Sequence, residues 1–364
     1  MDKEKQILNL IRMNPFISQQ ELSSKVGLSR PAVANYIASL TRRGEIKGRG
    51  YILREESSIV CIGGANTDQK ARSNQKVRLY SSNPVKIMES CGGVARNFAE
   101  NLSRLGCTTS LMACVGDDKE GNWLLEETKS KGVDISQVWV FPTERTGTFT
   151  TLLDINGESI VSMADMNIYE KITPSMFEEK WSHIVASQAV FLDANIPQEC
   201  IRYLIKRCSD ENIPLYIDPV SSAKAQKLPY RLEGVELLLP NREEAEILAE
   251  MKIDSIKDCQ SACEKIRKRG VQKVVITLGD QGVYYFSTEE SGHLPPYKTD
   301  VVDVTGAGEA FASCAIYGIM NEESLFSACQ LGLAGAALTL QTEESISSYL
   351  KPDKIHEIVK EFSN

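Results

Sequence analysis

The chain has 364 residues, 42% hydrophobic and 25% charged, which is enough for two or three globular domains with at least one large core. No apolar run reaches the roughly 18 residues of a membrane helix, and the charged residues at positions 2–5 exclude a signal peptide. Ten cysteines without a CxxC pair favour reduced thiols and a cytoplasmic location, while only three histidines exclude a His-rich metal site and poorly support Ser-His-Asp or Cys-His catalysis.

Charge is distributed unevenly along the chain. Residues 1–56 carry a net charge of +4, whereas the remaining 308 residues carry −12. Such asymmetry predicts a small basic domain over 1–56 joined to an acidic globular body over 57–364.

The basic segment predicts three helices followed by a β-ribbon. Apolar residues over 7–11 indicate the first helix, and Ser18 opens the second with a capping box. Ser29 caps the third helix, which ends at Gly44. Residues 46–53 alternate around a glycine turn and predict the ribbon, or wing.

This order of elements resembles the winged helix-turn-helix of bacterial transcription regulators. The resemblance implies that the third helix faces the DNA major groove and that basic residues contact phosphates. A small protein-interaction domain with a solvated basic face is the alternative. The candidate DNA-binding residues are Arg30, Asn35, Arg42, Arg43, Lys47 and Arg49, with Ser29 and Tyr36 also on the groove side.

From residue 57 onward, short β-branched runs alternate with helical patterns, which predicts an α/β fold with a mostly parallel sheet. Residues 146–153 and 159–164 break this rhythm and predict an antiparallel hairpin, a candidate lid over the site around 146–165. The other predicted strands are 58–63, 108–115, 189–193, 214–218, 234–239, 273–277 and 282–286, and two predicted helices are 93–105 and 123–131.

The segment 301–311 carries the most informative chemistry. It predicts a short strand, a glycine turn and then an apolar helix over 310–320. The backbone N–H groups at Gly306, Ala307 and Gly308 could surround an anion at the helix start. Glu309 would lie beside that anion and could accept a proton from an attacking hydroxyl. A tight turn without function is the alternative, and the pattern is neither a Walker A loop nor a dinucleotide fingerprint.

Other strand ends and helix starts carry polar residues of the same kind. Asp68 and Asn97 could hold sugar hydroxyls, and Gly92 and Gly93 open the helix that carries Asn97. Asp193 ends another predicted strand. Taken singly, each of these residues is equally compatible with a cap, a turn or a solvated charge.

Together these motifs resemble the ribokinase-like (PfkB) family of sugar and nucleoside kinases over residues 57–362. The matching segments are 92–93, 240–244, 277–279 and 303–311. The resemblance implies transfer of the γ-phosphate of ATP to a hydroxymethyl group with Mg²⁺. The implied ligands are Asp68, Gly92, Gly93 and Asn97 for the acceptor, Asn241 and Glu244 for the phosphates and the Mg²⁺ water shell, Thr277, Gly279 and Gly282 for the nucleotide, Gly306, Ala307 and Gly308 for the transferred group, and Asp303 and Thr305 for a monovalent cation such as K⁺.

Within that family, segments 92–102, 164–169 and 192–195 resemble bacterial pseudouridine kinases, several of which carry an N-terminal helix-turn-helix. This implies phosphorylation of the 5′-hydroxyl of pseudouridine. Asp165 and Asn167 would reach the base from the lid, and Asp193 would contact the acceptor. A polar loop after a strand is the alternative for Asp165 and Asn167.

One position departs from the family pattern, which has Asp where this chain has Glu309. The extra methylene displaces the carboxylate by about 1 Å, and such a displacement can cost about 10²-fold in rate. Two hypotheses follow: a nucleoside kinase with a fused DNA-binding domain, or a ligand-sensing transcription regulator with a kinase-like body of weak or no activity. A kinase of the same family for another sugar or nucleoside is a further alternative. Any of these could be a homodimer.

Overall fold

The computed structural model describes residues 3–14, 17–47 and 58–363. Its helices are α1 (Lys3–Met13), α2 (Gln19–Val26), α3 (Arg30–Arg42), α4 (Val94–Arg104), α5 (Lys119–Ser130), α6 (Pro174–Glu179), α7 (Trp181–Val185), α8 (Gln198–Asp210), α9 (Ser222–Ala225), α10 (Arg242–Ala249), α11 (Ile256–Arg267), α12 (Ala307–Met320), α13 (Leu325–Leu340) and α14 (Pro352–Ser363). Its strands are β1 (Ser58–Ile62), β2 (Asn66–Ser73), β3 (Val85–Gly92), β4 (Thr108–Met112), β5 (Cys114–Gly116), β6 (Trp139–Phe141), β7 (Thr148–Leu153), β8 (Ser159–Asp165), β9 (Ala189–Asp193), β10 (Leu215–Asp218), β11 (Val235–Leu238), β12 (Lys273–Thr277), β13 (Val283–Phe286) and β14 (Ser291–Leu294).

The three predicted helices of the basic domain are confirmed as α1, α2 and α3, which pack around their own apolar core. Ser18 Oγ accepts the Glu21 N–H at 3.2 Å, and the Glu21 carboxylate accepts the Ser18 N–H at 2.9 Å, so the capping box is also confirmed. Of the predicted wing, only residues 46 and 47 are described. The rest of the wing, with Arg49, lies outside the described residues.

The acidic body is built on an eight-stranded sheet in the order β4, β1, β9, β10, β11, β12, β13, β14. Strands β4 to β12 in this order are parallel, and β13 and β14 are antiparallel, so the predicted mostly parallel fold is confirmed. Two apolar clusters lie on opposite faces of the sheet, one under α8, α10 and α11 and the other under α4, α12 and α13. No helix among the described residues has the length and apolar character needed to cross a membrane.

A second sheet, in the order β3, β2, β7, β8, contains the hairpin predicted as a lid and is called the lid sheet below. Strands β7 and β8 pair antiparallel, which confirms the predicted hairpin. Strand β2 joins that hairpin parallel to β7 and pairs antiparallel with β3. The sequence analysis predicts neither β2 nor β3, because β2 consists almost entirely of polar residues and β3 is exposed over residues 85–90 and has no buried apolar face.

Two predicted strands differ in the structure. The predicted strand at 301–304 is wrong, since this segment is irregular and Val301, Val302 and Val304 are exposed without a neighbouring sheet edge. The predicted strand at 108–115 is instead two strands, β4 and β5. The chain leaves the main sheet between them, and β5 pairs with β6.

The basic domain contacts the body through a glycine. Gly44 has a φ of +74°, and a Cβ there would lie 2.1 Å from the Val185 carbonyl oxygen on α7. Only glycine allows this close approach, so the end of α3 lies directly on the body.

Candidate active site

The carboxyl ends of the parallel strands gather polar groups at one edge of the sheet, where open α/β folds bind ligands. A cavity of about 230 Å³ lies there, between these strand ends and the first turn of α12. It is lined by Val94, Asp218, Val220, Leu239, Asn241, Glu244, Thr277, Gly308, Glu309, Phe311 and Ala312.

The bend before α12 has the geometry of an anion site. Gly306 has a φ of +83°, and a Cβ there would lie 1.9 Å from the Ser345 carbonyl oxygen, so only glycine fits. The N–H groups in the first turn of α12 have no acceptor within the helix, and the helix dipole favours negative charge beside them. Of the amides at 307–309, Ala307 N–H donates to the Val304 carbonyl oxygen at 3.4 Å and Glu309 N–H donates to its own carboxylate, so Gly308 N–H is the one left for an anion. The space beside Gly308 is open. The Gly308 N–H can therefore receive a phosphate oxygen from the cavity.

Glu309 is half-buried in the first turn of α12 and lines the same cavity. Burial raises its pKa, and the charge of Asp193 adds to that effect. Hydrogen bonds from its own backbone N–H and from the Asn97 side chain act in the opposite direction. Glu309 is thus a carboxylate with raised proton affinity, held beside an anion site.

Asp68 on β2 lies close enough to Glu309 for the two charges to interact. Burial raises the pKa of Asp68 to about 6 despite a hydrogen bond from the Asn66 amide at 2.6 Å, and the charge of Glu309 raises it further. A Cβ at Gly92 would lie 2.2 Å from the Asp68 carboxylate, so Gly92 makes room for it.

The start of α4 also depends on glycine. Gly93 has a φ of +100°, and a Cβ there would lie 2.4 Å from the Gly64 carbonyl oxygen. This close approach places the buried Asn97, one turn into α4, beside Glu309. The structure therefore brings Asp68, Asn97 and Glu309 together, as the acceptor assignment requires.

The Asp193 side chain contacts backbone N–H groups, whereas the sequence analysis predicts a contact with the acceptor. Its side chain is fully buried, and its carboxylate accepts backbone N–H groups from Gly64 and Ala95, each at 2.8 Å, and from Asn195 at 2.9 Å. These bonds tie the loop after β1 to the start of α4. Asp193 is therefore a positioning residue in this structure, in place of the predicted contact with the acceptor.

The predicted phosphate-side residues form a capping box at the start of α10. The Glu244 carboxylate accepts the Asn241 N–H at 2.9 Å and the Asn241 side-chain amide at 2.7 Å. Asn241 in turn accepts the Glu244 N–H at 3.0 Å. Burial raises the pKa of Glu244. Both side chains line the cavity while they fix each other's position.

The predicted nucleotide residues separate into two groups. Thr277 lines the cavity, and Gly279 lies in the exposed turn that follows, with a φ of +62° and open space beside it. Gly282 is buried instead, and a Cβ there would lie 2.1 Å from the Leu294 carbonyl oxygen. Gly282 thus allows the close contact of β13 with β14, and its assignment to the nucleotide stays a prediction.

Asp165 and Asn167 are exposed at the base of the lid. The Asn167 amide donates to the Asp165 carboxylate at 3.1 Å. The Asp165 carbonyl oxygen and Asn66 both lie near Gly147, so this pair is close to the strand that carries Asp68. Both side chains are exposed, and because Asp165 pairs with Thr148, which pairs with Thr67, the Asp165 side chain projects from the face of the lid sheet opposite to that of Asp68.

Two residues at the site were not among the predicted site residues. Asp218 lines the cavity, and burial raises its pKa well above the usual range. Lys224 on α9 is half-buried and donates to Asn195, in the electrostatic range of Asp193 and Asp218. The position of Asp218 at a strand end before Pro219 was a usable signal, whereas Lys224 carried none.

The donor set fits Mg²⁺, which takes oxygen ligands and usually keeps several waters beside substrate phosphates. Asp218 and Glu244 offer carboxylate oxygens to the cavity. In the part of the chain that the structure describes, no three His, Cys, Asp or Glu residues form a cluster suited to a metal ion. Asp218 and Glu244 could thus hold a partly hydrated Mg²⁺ that enters with the nucleotide.

The residues predicted to bind a monovalent cation are already bonded to other protein groups. The Asp303 carboxylate accepts the N–H and the hydroxyl of Thr305 at 2.8 and 2.7 Å. It also accepts the Lys70 ammonium group at 2.8 Å. The site therefore does not present a free carboxylate to K⁺.

On the basic domain, Arg30, Asn35 and Arg42 are exposed on α3. Arg43 is also exposed but forms an ion pair with Glu4. Lys47 is half-buried and lies close to His183 on α7, where burial lowers the His183 pKa and the Lys47 charge lowers it further. The exposed polar surface of α3 is therefore formed mainly by Arg30, Asn35 and Arg42.

Comparisons with known proteins agree with this geometry. The family model described as pfkB family carbohydrate kinase matches residues 56–352, and that of the winged helix-turn-helix DNA-binding domains matches residues 2–47. The chain is 32% identical over 341 residues to the uncharacterized sugar kinase YeiI of Escherichia coli, covering 93% of each protein. It is 36% identical over 278 residues to the pseudouridine kinase of the same organism, covering 75% of this chain and 88% of that one. A carbohydrate kinase from Agrobacterium tumefaciens has a similar structure, with a TM-score of 0.75, 31% identity, and coverage of 84% of this chain and 97% of that one.

Proposed function

The chain belongs to the pfkB family of carbohydrate kinases, and we propose that it transfers the γ-phosphate of ATP to the 5′-hydroxyl of a nucleoside, pseudouridine. The observation that carries the proposal is the position of Glu309. Its carboxylate lies at the open amide bend of α12 and within interaction distance of Asp68 and Asn97.

The mechanism assigns each group one task. Asp68 and Asn97 bind the acceptor hydroxyls and orient the 5′-oxygen toward the bend. Glu309 accepts the 5′-hydroxyl proton as that oxygen forms a bond to the γ-phosphorus, and the bond between the γ-phosphorus and the bridging oxygen of ADP breaks. The Gly308 amide and the dipole of α12 stabilise the negative charge on the transferred group. Mg²⁺, when bound, neutralises charge on the phosphates.

The Glu309 carboxylate accepts its own backbone N–H and a hydrogen bond from the Asn97 side chain, and the second bond holds the longer side chain beside the proposed acceptor residues. A raised pKa suits a general base, since the transferred proton is then held more firmly. We propose that Glu309 replaces the family Asp as the base.

Two features support pseudouridine as the acceptor. The chain is 36% identical to a pseudouridine kinase over most of that protein's length. The exposed pair Asp165 and Asn167 offers a carboxylate and an amide at the end of the edge strand β8, from which they would reach the base past the edge of the lid sheet. Pseudouridine, unlike uridine, has a free N1–H group, and the carboxylate of Asp165 would accept a hydrogen bond from it.

We further propose that the basic domain binds DNA. Its match to the winged helix-turn-helix model and the exposed Arg30 and Arg42 on α3 support this. The contact of Gly44 with α7 joins this domain to the body. The test is a DNA-binding isotherm over a range of salt concentrations.

The kinase proposal is tested by ADP release from ATP and Mg²⁺ with pseudouridine, uridine, cytidine, inosine and ribose. We expect kcat/KM for pseudouridine to exceed that for uridine by about tenfold or more, because a polar site discriminates against a ligand that lacks its donor. Asp165→Ala should reduce this ratio to near one. The matched control is Glu158→Gln, in the exposed turn of the same hairpin, which should leave the ratio unchanged.

Turnover of ribose above every nucleoside would contradict a nucleoside acceptor. Turnover of none of the five compounds would contradict kinase activity toward this class, and a ligand-sensing regulator would then be favoured. An unchanged ratio in Asp165→Ala would remove the lid pair from the recognition of the base.

A further inference from the structure

An ion pair joins the lid to the loop before the anion bend. The Lys70 ammonium on β2 lies 2.8 Å from the Asp303 carboxylate and 3.5 Å from the Thr305 hydroxyl. The Lys70 and Asp303 side chains are only 28% and 26% exposed. Solvent screening is therefore weaker than for a surface ion pair, and the contact can fix the position of the loop.

The ammonium group occupies the place that a monovalent cation would need. One Asp303 oxygen is taken up by the N–H and hydroxyl of Thr305, and the other accepts from Lys70. A potassium ion at this carboxylate would lie against a like charge at hydrogen-bond distance, which is unfavourable. Lys70 and Asp303 also line a second cavity of about 800 Å³ together with Ser345, whose carbonyl oxygen lies close to Gly306.

Strand geometry connects this ion pair to the acceptor. Successive side chains of a strand alternate, so Asp68 and Lys70 project from the same face of β2. The charge of Lys70 is close enough to lower the pKa of Asp68. In the other direction, Asp303 is three residues before Gly306, whose conformation sets the amides of the bend.

We propose that the Lys70 ammonium is the resident monovalent cation of the 303–305 loop, so that the lid, rather than K⁺, holds the anion bend in its phosphate-binding shape. Lys70 is then a positioning residue, and the bend is ordered by the same strand that binds the acceptor. The proposal rests on the phosphate-binding role of the bend but not on the identity of the acceptor.

The test compares potassium chloride with tetramethylammonium chloride at equal ionic strength. The affinity for a non-hydrolysable ATP analogue and the thermal midpoint without nucleotide are measured for the full-length protein, Lys70→Met and Lys70→Arg. We expect the unsubstituted protein and Lys70→Arg to respond alike in both salts, within twofold in affinity. Lys70→Met should lose about tenfold in affinity in tetramethylammonium, and potassium should restore most of it and raise its midpoint by about 2 °C. Lys86→Met, an exposed lysine on the neighbouring lid strand β3, is the matched control and should behave like the unsubstituted protein.

A tenfold potassium requirement in the unsubstituted protein would overturn the proposal, because the site would then accept the ion despite Lys70. The proposal would also be overturned if Lys70→Met kept its affinity for the ATP analogue, or lost it equally in both salts. Neither readout depends on turnover, so a failure of the nucleoside assay leaves this test independent. The midpoint in the absence of nucleotide also identifies a variant that fails to fold.

Discussion

The two ligand-facing regions of this molecule use charge in opposite ways. In the body, the acids Asp68, Asp218, Glu244 and Glu309 are at least half-buried, and burial raises the pKa of each. On α3, the polar groups stand exposed to solvent. Charges withdrawn from water interact strongly with a reacting group, whereas exposed charges are screened and contribute small, similar amounts. Single substitutions should therefore have large effects in the first region and modest, salt-dependent effects in the second.

The largest effect is expected at Glu309. Glu309→Gln keeps the shape of the side chain but removes the proton acceptor, so kcat should fall by about 10³-fold. The affinity for the ATP analogue should change little, because the amides of the bend remain. Single-turnover and binding measurements separate the two quantities.

Two further variants sharpen this prediction. Glu309→Asp restores the family residue and should keep activity within about tenfold of the unsubstituted protein, because the carboxylate is retained. Glu243→Gln, an exposed acid beside the buried Glu244, is the control and should leave kcat unchanged. If Glu309→Gln retained more than a tenth of the activity, Glu309 would not be the base.

A smaller effect is expected from pH. Burial raises the pKa of Asp68 to about 6 and raises that of Glu309, and both groups must be ionised to bind the acceptor and accept its proton. Since a raised pKa means protonation at a higher pH, kcat/KM should fall about tenfold between pH 7 and 5, where ordinary carboxylates remain ionised. Because the ionisations of Asp68 and Glu309 are coupled, the fall in kcat/KM at acidic pH reports the protonation of the pair and not of one residue.

The pH profile of Asp68→Asn tests this assignment. Loss of the Asp68 charge should move the acidic fall in kcat/KM to lower pH, because the interaction of Asp68 with Glu309 raises the proton affinity of the pair. A limb that stays below pH 5 in the unsubstituted protein, or one that does not move in Asp68→Asn, would contradict the electrostatic account.

The sequence could predict features that depend on local geometry. The capping box of Asn241 and Glu244 and the glycine bend at 306–308 follow from spacing within a few residues. The side chain of Asp193 could not be placed this way, because a carboxylate at a strand end looks the same whether it faces a ligand or backbone amides. Lys70 was missed for a related reason, since its partner Asp303 is 233 residues away and lid strand β2 lacks an apolar alternation.

The smallest effects are expected on α3, where they test the other side of the comparison. Arg30→Ala and Arg42→Ala should each weaken DNA binding several-fold at constant salt, because an exposed arginine acts mainly by releasing one counterion from a phosphate. The slope of log affinity against log salt should decrease by about one for each variant. Arg43→Ala should have a weaker effect, since Arg43 is ion-paired with Glu4, and Lys351→Ala on the exposed surface of the body should have none. If either arginine variant lost 10³-fold in DNA affinity without a change in salt slope, α3 would bind its partner through contacts withdrawn from water, as the body does. The proposed contrast between the two regions would then be wrong.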